Sequence, residues 1–426
     1  MSAFDKVIGY EAIKEELIQI CDMMHNRDIY EAMGAKLPQG ILLYGNPGLG
    51  KTLMAQCFIE ECNIKTFIVR RDRGGDFVDL ITEVFTKAKE NEPSIILLDD
   101  LDKFANEDDY HTNAQEYIAV QAGIDEMKGK NVLVIATAND IRQLPKSLKR
   151  SGRFDRKIEV QSPDENETVK IIEFYLASKN ISKDVNVEDL VKMFRYSSCA
   201  ELETFINEAA VLAAFKRKQA VEMSDLVEAV LKKEYNSPND NVKATEDELR
   251  RVALHEAGHA VISEVLQEGS VGFVSIRPNA NRFSSEGVMH NCQILSRRPY
   301  RILVSLGGKT AVELYYSETA ASGCQSDLDR AITTIKDGIS QNGICGNGLL
   351  KINCKGTYDT SDDYSSRVEA VVHAELERYV YIARDILLQN KEFLEKVTNE
   401  LLIKRTLLFS DIQSIRNSSI IVSRTV

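Results

Sequence analysis

Two short stretches of this sequence combine residue types at spacings that can do chemistry. The first is Gly45-Asn46-Pro47-Gly48-Leu49-Gly50-Lys51-Thr52. Its glycines allow backbone N–H groups to curl around a phosphate, and the helix expected after it adds positive potential. Lys51 then reaches the outer phosphates of a nucleotide, and the Thr52 hydroxyl meets Mg²⁺. The second stretch is His255-Glu256-Ala257-Gly258-His259. At a spacing of four on a helix, the two imidazoles share one face and can hold one zinc ion. Glu256 beside them can take a proton from a water that the metal has acidified. The chain has six histidines in all, so placing two of them in this pattern argues against a chance pair of core histidines.

Around these stretches lie residues that gain meaning from them. Asp99 and Asp100 end the apolar run Ser94-Ile95-Ile96-Leu97-Leu98. Asp99 fits a ligand of the magnesium shell, and Asp100 the carboxylate that polarises an attacking water. Asn139 follows another apolar run and is placed to orient that water. Arg150, Arg153 and Arg156 occupy one basic turn; beside a phosphate loop they suggest cations offered to a neighbouring subunit. A third metal ligand is not local to the histidines. Glu268, Glu286 and Asp327 are all candidates by spacing, with Ser326 reading as a helix start.

These residues need a scaffold, and the apolar pattern supplies one. Strands are expected over Ile41–Tyr44, Thr66–Val69, Ile95–Asp99, Val132–Thr137 and Lys157–Val160, with helices such as Lys51–Glu61 and Phe77–Glu90 between them. That alternation predicts a parallel sheet covered on both faces. Residues 165–233 become helical, with Leu202, Phe205, Ile206, Ala209 and Ala210 at helix spacing. The turn-rich Tyr235–Asn241 reads as a linker. A continuous helix is expected over Glu246–Leu266, and a short strand pair near 271–291. The expected fold is therefore multidomain: a nucleotide-binding α/β domain (1–163), a helical lid (164–233), a linker (234–243) and a mainly α-helical metal-binding domain (244–426).

Composition narrows the class. The 426 residues carry 53 Lys plus Arg against 65 Asp plus Glu, a formal charge of −12, which disfavours a nucleic-acid partner. No apolar run approaches the ~20 residues that span a bilayer, so no membrane insertion by this chain is expected. Eight cysteines without a Cys-x-x-Cys pair read as reduced thiols of a cytoplasmic protein.

The order of these features resembles the FtsH family of ATP-dependent zinc metalloproteases, in which an AAA+ ATPase is fused to a zinc peptidase. The resemblance runs from Val7-Ile8-Gly9 to the final helices. It implies that Asp327, in Ala321-Ser322-Gly323-Cys324-Gln325-Ser326-Asp327, is the third zinc ligand, and that Leu306-Gly-Gly-Lys-Thr-Ala-Val-Glu313 is the family's glycine-pair helix. It places Ile8 and Gly9 against adenine and Ala200 at the sensor-2 position, and makes Asn207-Glu-Ala-Ala210 part of the lid. The implied cofactor set is ATP or ADP with Mg²⁺ along Gly45 to Leu53, with Ile8, Gly9, Asp99 and Ala200, and one Zn²⁺ per subunit. The implied partners are unfolded or damaged proteins and five further copies in a hexamer, with Arg153 and Arg156 acting across subunits.

Four features depart from the family pattern. Its amino-terminal membrane helices are absent from this sequence. Asp100 replaces a glutamate. The pore-loop region reads Arg70-Arg-Asp-Arg-Gly-Gly-Asp-Phe77-Val78, with Phe77 the nearest aromatic. Met127-Lys-Gly-Lys130 lacks the family's phenylalanine. The expected function is an ATP-dependent zinc metalloprotease, with Glu256, Asp100, Asn139, Arg153 and Arg156 as catalytic residues. The alternative is a nucleotide-gated scaffold or remodelling protein with weak ATPase and little processive proteolysis.

Overall fold

The computed structural model describes residues 2–70, 77–105, 114–236, 245–277, 287–291, 293, 295, 297–316, 324–339 and 362–424. The chain divides into two compact units, one of residues 1–180 and 196–207, the other of residues 181–195 and 208–426. The division runs through the helical stretch that the sequence assigns to a lid.

In the first unit, β1 (Gly40–Tyr44), β2 (Lys65–Val69), β3 (Ser94–Leu98), β4 (Val132–Ala138) and β5 (Arg156–Glu159) form a sheet ordered β2-β3-β4-β1-β5. All its pairs are parallel; Ala136 of β4 is level with Leu42 on one side and Leu98 on the other. Ile41, Leu43, Ile95, Leu97, Leu133 and Ile135 point into one core, Leu42, Ile96, Leu98, Val134 and Ala136 into another. Burial on both faces is why these strands read as unbroken apolar runs rather than alternating ones. The helices of this unit include α1 (Glu11–His25), α2 (Arg27–Ala32), α3 (Lys51–Cys62), α4 (Phe77–Glu90), α5 (Ala114–Glu126) and α6 (Glu165–Ala177), of which α1, α3, α4 and α5 supply side chains to the two cores.

The strand ends differ from the sequence reading by a residue or so. β3 stops at Leu98 rather than Asp99, and Asp100 adopts φ 57°, turning the chain out of the sheet. At the amino-terminal edge, the Tyr10 N–H donates to Glu167 Oε1 at 2.7 Å. Glu167 Oε2 also accepts from the Asp164 N–H at 3.0 Å, closing a capping box that starts α6. Glu167 thus ties the first residues of the chain to α6.

The second unit contains α7 (Val187–Met193), the part of α8 (Cys199–Phe215) beyond Asn207, α9 (Met223–Glu234) and α10 (Glu246–Leu266). These are followed by β6 (Val271–Ser275), β7 (Val288–Asn291), α11 (Arg298–Tyr316), α12 (Gln325–Asp337), α13 (Asp362–Gln389), α14 (Lys391–Lys404), β8 (Thr406–Leu408) and α15 (Phe409–Asn417). Its core draws on α10, α11, α13 and α14, among them Val261, Leu303, Ile386, Phe393 and Leu401. The expected strand pair near 271–291 is β6 and β7, and β8 adds a third antiparallel strand on the other side of β6. Three residues are too few for β8 to show in a periodicity.

Two helices must cross closely to build the metal centre. A Cβ on Gly258 of α10 would strike the Gly307 carbonyl of α11, and a Cβ on Gly307 would come within 2.7 Å of the Gly258 oxygen. Glycine mid-helix costs about 1 kcal/mol against alanine. Here it lets one helix backbone rest on the other.

Candidate functional site

The phosphate loop leaves the carboxyl end of β1, where open parallel sheets place ligands. Gly45, Gly48 and Gly50 have φ of +148°, +78° and +85°, values that side chains with a Cβ rarely adopt. Lys51 is buried, and its Nζ donates to the carbonyls of Gly45 and Asn46, each at 2.7 Å. Burial pulls its ammonium below the ordinary value, against the opposing charges of Asp102 and Asp100. Thr52, one residue into α3, donates its hydroxyl to Asp99 Oδ1 at 2.9 Å. Two hard oxygen donors side by side suit Mg²⁺.

Asp99 is 3% exposed, yet its carboxyl is held below its usual range. Burial acts to raise it, but hydrogen bonds from Thr137 (2.8 Å), Thr52 and Arg70 (2.5 Å) favour the charged form and prevail. Asp100 gives its N–H to Thr137 Oγ1 at 2.9 Å and pairs through Oδ2 with Lys103 Nζ at 2.6 Å. Asn139 donates its backbone N–H to Asp102 Oδ2 at 3.0 Å. Asp102, which the sequence reading passed over, is thus the brace between β3 and the end of β4. Its signal was the third acid in Asp99-Asp100-Leu101-Asp102.

On the other side of the loop, the Ala200 N–H donates to the Gly48 carbonyl at 3.1 Å. Ile8, Leu49, Gly50 and Leu53 line a small pocket with Tyr10 and Tyr175. Gly9, at φ +76°, packs on Glu167. Pro47 and Asn46 lie in the loop itself.

The two arginines behave differently from each other. Arg153 grips Asp125 through Nε (3.1 Å) and Nη2 (2.8 Å) and is only 15% exposed in its side chain. That grip lowers the Asp125 carboxyl to about 2. Arg156 is 56% exposed and, among the described residues, pairs with Glu16 at 3.8 Å. Phe77 packs edge-on against Phe104, ring centres 5.1 Å apart, as a member of the core margin. Residues 71–76 of the pore-loop stretch lie outside the described residues.

In the second unit, His255 and His259 project from α10 toward Asp327 of α12. Asp327 Oδ2 is 3.2 Å from both Nε2 atoms, which are 3.1 Å from each other. The His259 Nδ1 lies 2.6 Å from the Val304 carbonyl, so Nδ1 carries the proton of the neutral ring and Nε2 is the nitrogen left to ligate a metal. Burial acts to lower His259, but the Asp327 carboxylate raises it to about 9. Burial acts to raise Asp327 in turn, and both imidazoles hold it well below the carboxylate range. Nitrogen and oxygen donors converging this tightly are a set that fits zinc. Gly308 makes room for them: a Cβ there would lie 2.5 Å from atoms of both rings.

Glu256 is 4% exposed and shares a cavity of about 440 Å³ with both histidines and Asp327. Val288, Met289 and Asn291 of β7, with Arg301 and Arg330, line it too. Of the other candidate ligands, Glu268 is exposed and pairs with Arg416 at 3.1 Å, and Glu286 lies outside the described residues. Residues 321–323 of the Asp327 segment are also outside them. α12 begins at Gln325, one residue before the expected start at Ser326. Among the described residues, no helix is long and apolar enough to cross a membrane.

Comparison with known proteins matches both halves. Residues 41–162 match the ATPase family associated with various cellular activities (AAA), and residues 242–415 match peptidase family M41. The ATP-dependent zinc metalloprotease FtsH of Halothermothrix orenii is 30% identical over 434 residues, covering 94% of this chain and 68% of the relative. FtsH 3 of Symbiobacterium thermophilum is 29% identical over 455 residues, covering 97% and 70%. FtsH 2 of Salinibacter ruber is 33% identical over 349 residues, covering 77% and 50%. The chain thus spans between half and 70% of the length of these relatives. With both family models matched and a relative 30% identical over most of both chains, this chain belongs to the FtsH family of ATP-dependent zinc metalloproteases.

Proposed function

We propose that this chain is an ATP-dependent zinc metalloendopeptidase, a homo-hexamer of the cytoplasm that draws in and degrades unfolded or damaged proteins. Nucleotide hydrolysis belongs to residues 1–163 with the lid at 164–233. The linker 234–243 joins them to the peptidase in 244–426. The observation that carries this reading is the convergence of His255, His259 and Asp327 in the cavity that also holds Glu256.

His255 Nε2, His259 Nε2 and Asp327 Oδ2 would hold zinc, which supplies Lewis acidity toward a peptide carbonyl and an attacking water. The remaining work falls to the chain. Glu256 takes the proton of the water and returns it to the leaving amine. The Val304 carbonyl keeps His259 in one tautomer. β7 is an edge strand that lines the cavity, so an extended polypeptide adds to it by backbone hydrogen bonds.

At the nucleotide site, Lys51 and the loop N–H groups bind the phosphates, and Thr52 and Asp99 hold Mg²⁺. Ile8, Gly9, Leu53 and Ala200 bound the nucleoside. Asp100 and Asn139 position water, and Arg156 with Arg153 serve the adjacent subunit. The test is degradation of casein by the zinc-loaded protein, with ATP against ADP. Cleavage that requires ATP is the expected result; cleavage with either nucleotide overturns the coupling, and none with ATP overturns the peptidase.

A further inference from the structure

Arg70 follows directly on β2, and its Nη2 donates to Asp99 Oδ2 at 2.5 Å. The other oxygen of Asp99 is already engaged by the hydroxyls of Thr52 and Thr137. The two ends of this ion pair have opposite surroundings: the Asp99 side chain is 3% exposed, that of Arg70 59%. The carboxylate is fixed, and the guanidinium is free to leave it without disturbing the core. Among the described residues, Lys51 spends its hydrogen bonds on the loop carbonyls of Gly45 and Asn46, and Lys103 pairs with Asp100 at 2.6 Å. Arg70 is thus a cation in direct contact with the buried Asp99 carboxylate, and a buried carboxylate stripped of its partner is costly.

A divalent cation with a nucleotide would claim the same carboxylate, whose Oδ2 is the oxygen not held by the two threonines. We propose that Arg70 is a resident counter-ion that Mg²⁺ displaces from Asp99, so that it sets the magnesium concentration at which the site accepts a magnesium–nucleotide complex. This rests on the reading of Gly45–Thr52 and Asp99 as a magnesium–nucleotide site. Arg70 is here a positioning residue that acts through Asp99, with no contact to substrate required.

The proposal is tested by binding a fluorescent ADP analogue to the full chain while free Mg²⁺ is raised from chelated to millimolar levels. Arg70→Gln is expected to lower the Mg²⁺ midpoint by about 5- to 10-fold, near the tenfold that a charge-assisted bond of 1.4 kcal/mol represents. Arg70→Lys, which keeps the charge, is expected to stay within about 2-fold of the parent. ADP binding in chelator is expected to be the same in all three proteins. An unchanged or higher midpoint in Arg70→Gln overturns the proposal, as does an equal loss of binding with and without Mg²⁺, which marks a merely structural role. Failure of the parent protein to bind the analogue at any Mg²⁺ level overturns the nucleotide-site reading itself.

Discussion

The Val304 carbonyl accepts a hydrogen bond from His259 Nδ1–H across 2.6 Å, and this one bond decides what the rest of the metal centre can be. A carbonyl can only accept, so Nδ1 carries the proton and, in the neutral ring, the other nitrogen bears the lone pair. It faces an Asp327 oxygen at 3.2 Å and a second imidazole nitrogen at 3.1 Å. Acceptors that converge in this way are stabilised by a cation, or by a proton on His259 when no metal is bound.

Glu256→Gln is therefore expected to keep zinc at parental stoichiometry while lowering peptide hydrolysis by about 10²- to 10⁴-fold, the usual worth of a positioned general base. Metal analysis beside a casein assay separates the two effects. Loss of zinc in this variant would make Glu256 part of the ligand set instead.

Gly308→Ala inserts a methyl 2.5 Å from both histidine rings. The expected outcome is a folded protein with a markedly lower zinc content, read by metal analysis and circular dichroism. Gly258→Ala acts on the helix crossing instead. It is expected to cost about 1–3 kcal/mol in denaturant unfolding, the range for overpacking.

Asp100→Glu is expected to raise ATP turnover. The shorter carboxylate stands back from the position where a longer one reaches, and misplacement of about 1 Å costs up to ~10²-fold. A steady-state phosphate-release assay checks this. An equal or lower rate would mean that Asp100, tied to Lys103, is not the water-polarising group.

Arg153 and Arg156 should separate in a paired experiment. Arg156→Ala is expected to depress ATPase strongly with an unchanged melting temperature, since a trans-acting arginine is worth ~10³-fold or more. Arg153→Ala is expected to lower the melting temperature as well, because it strands Asp125. The pair is partly exposed, which keeps the stability loss to about 1 kcal/mol.

His290 supplies a pH dependence. Burial pushes it down to about 4, and its ring is stacked on Phe273 with Tyr235 at 3.3 Å from Nδ1. Its folded value lies below the unfolded one near 6.5, so protons favour the unfolded chain. Its contribution to stability is expected to be full above pH 6.5 and to be lost as pH falls to about 4, by on the order of 3 kcal/mol. His290→Gln should flatten that decline, measured as the difference in unfolding free energy between the two proteins across this window.

What could be read from the sequence was what is local. The phosphate loop and the His255–His259 pair announce themselves because their chemistry depends on spacings within one turn of chain. The five strands of the large sheet are legible to within about a residue because both their faces are buried. Asp327 is 72 positions from His255, and no periodicity distinguishes it from Glu268; the fold does, by spending Glu268 on Arg416. Arg153 announces a cation but not its partner, Asp125, which lies 28 positions away. Arg70 and Asp102 stayed hidden for the same reason, since each gains its role from a residue just past the end of another strand, Asp99 after β3 and Asn139 after β4.

The fastening of Tyr10 by Glu167 has a practical corollary. Both oxygens of Glu167 are engaged, one on the backbone of Tyr10 and one on that of Asp164. A protease that nicked the chain near residue 10 would remove the bond on one side and loosen the start of α6 on the other. The wall that Ile8, Tyr10 and Ile171 share beside the phosphate loop would go with it. Clipping a handful of amino-terminal residues is thus expected to silence nucleotide binding some forty positions downstream while leaving every glycine of the loop in place.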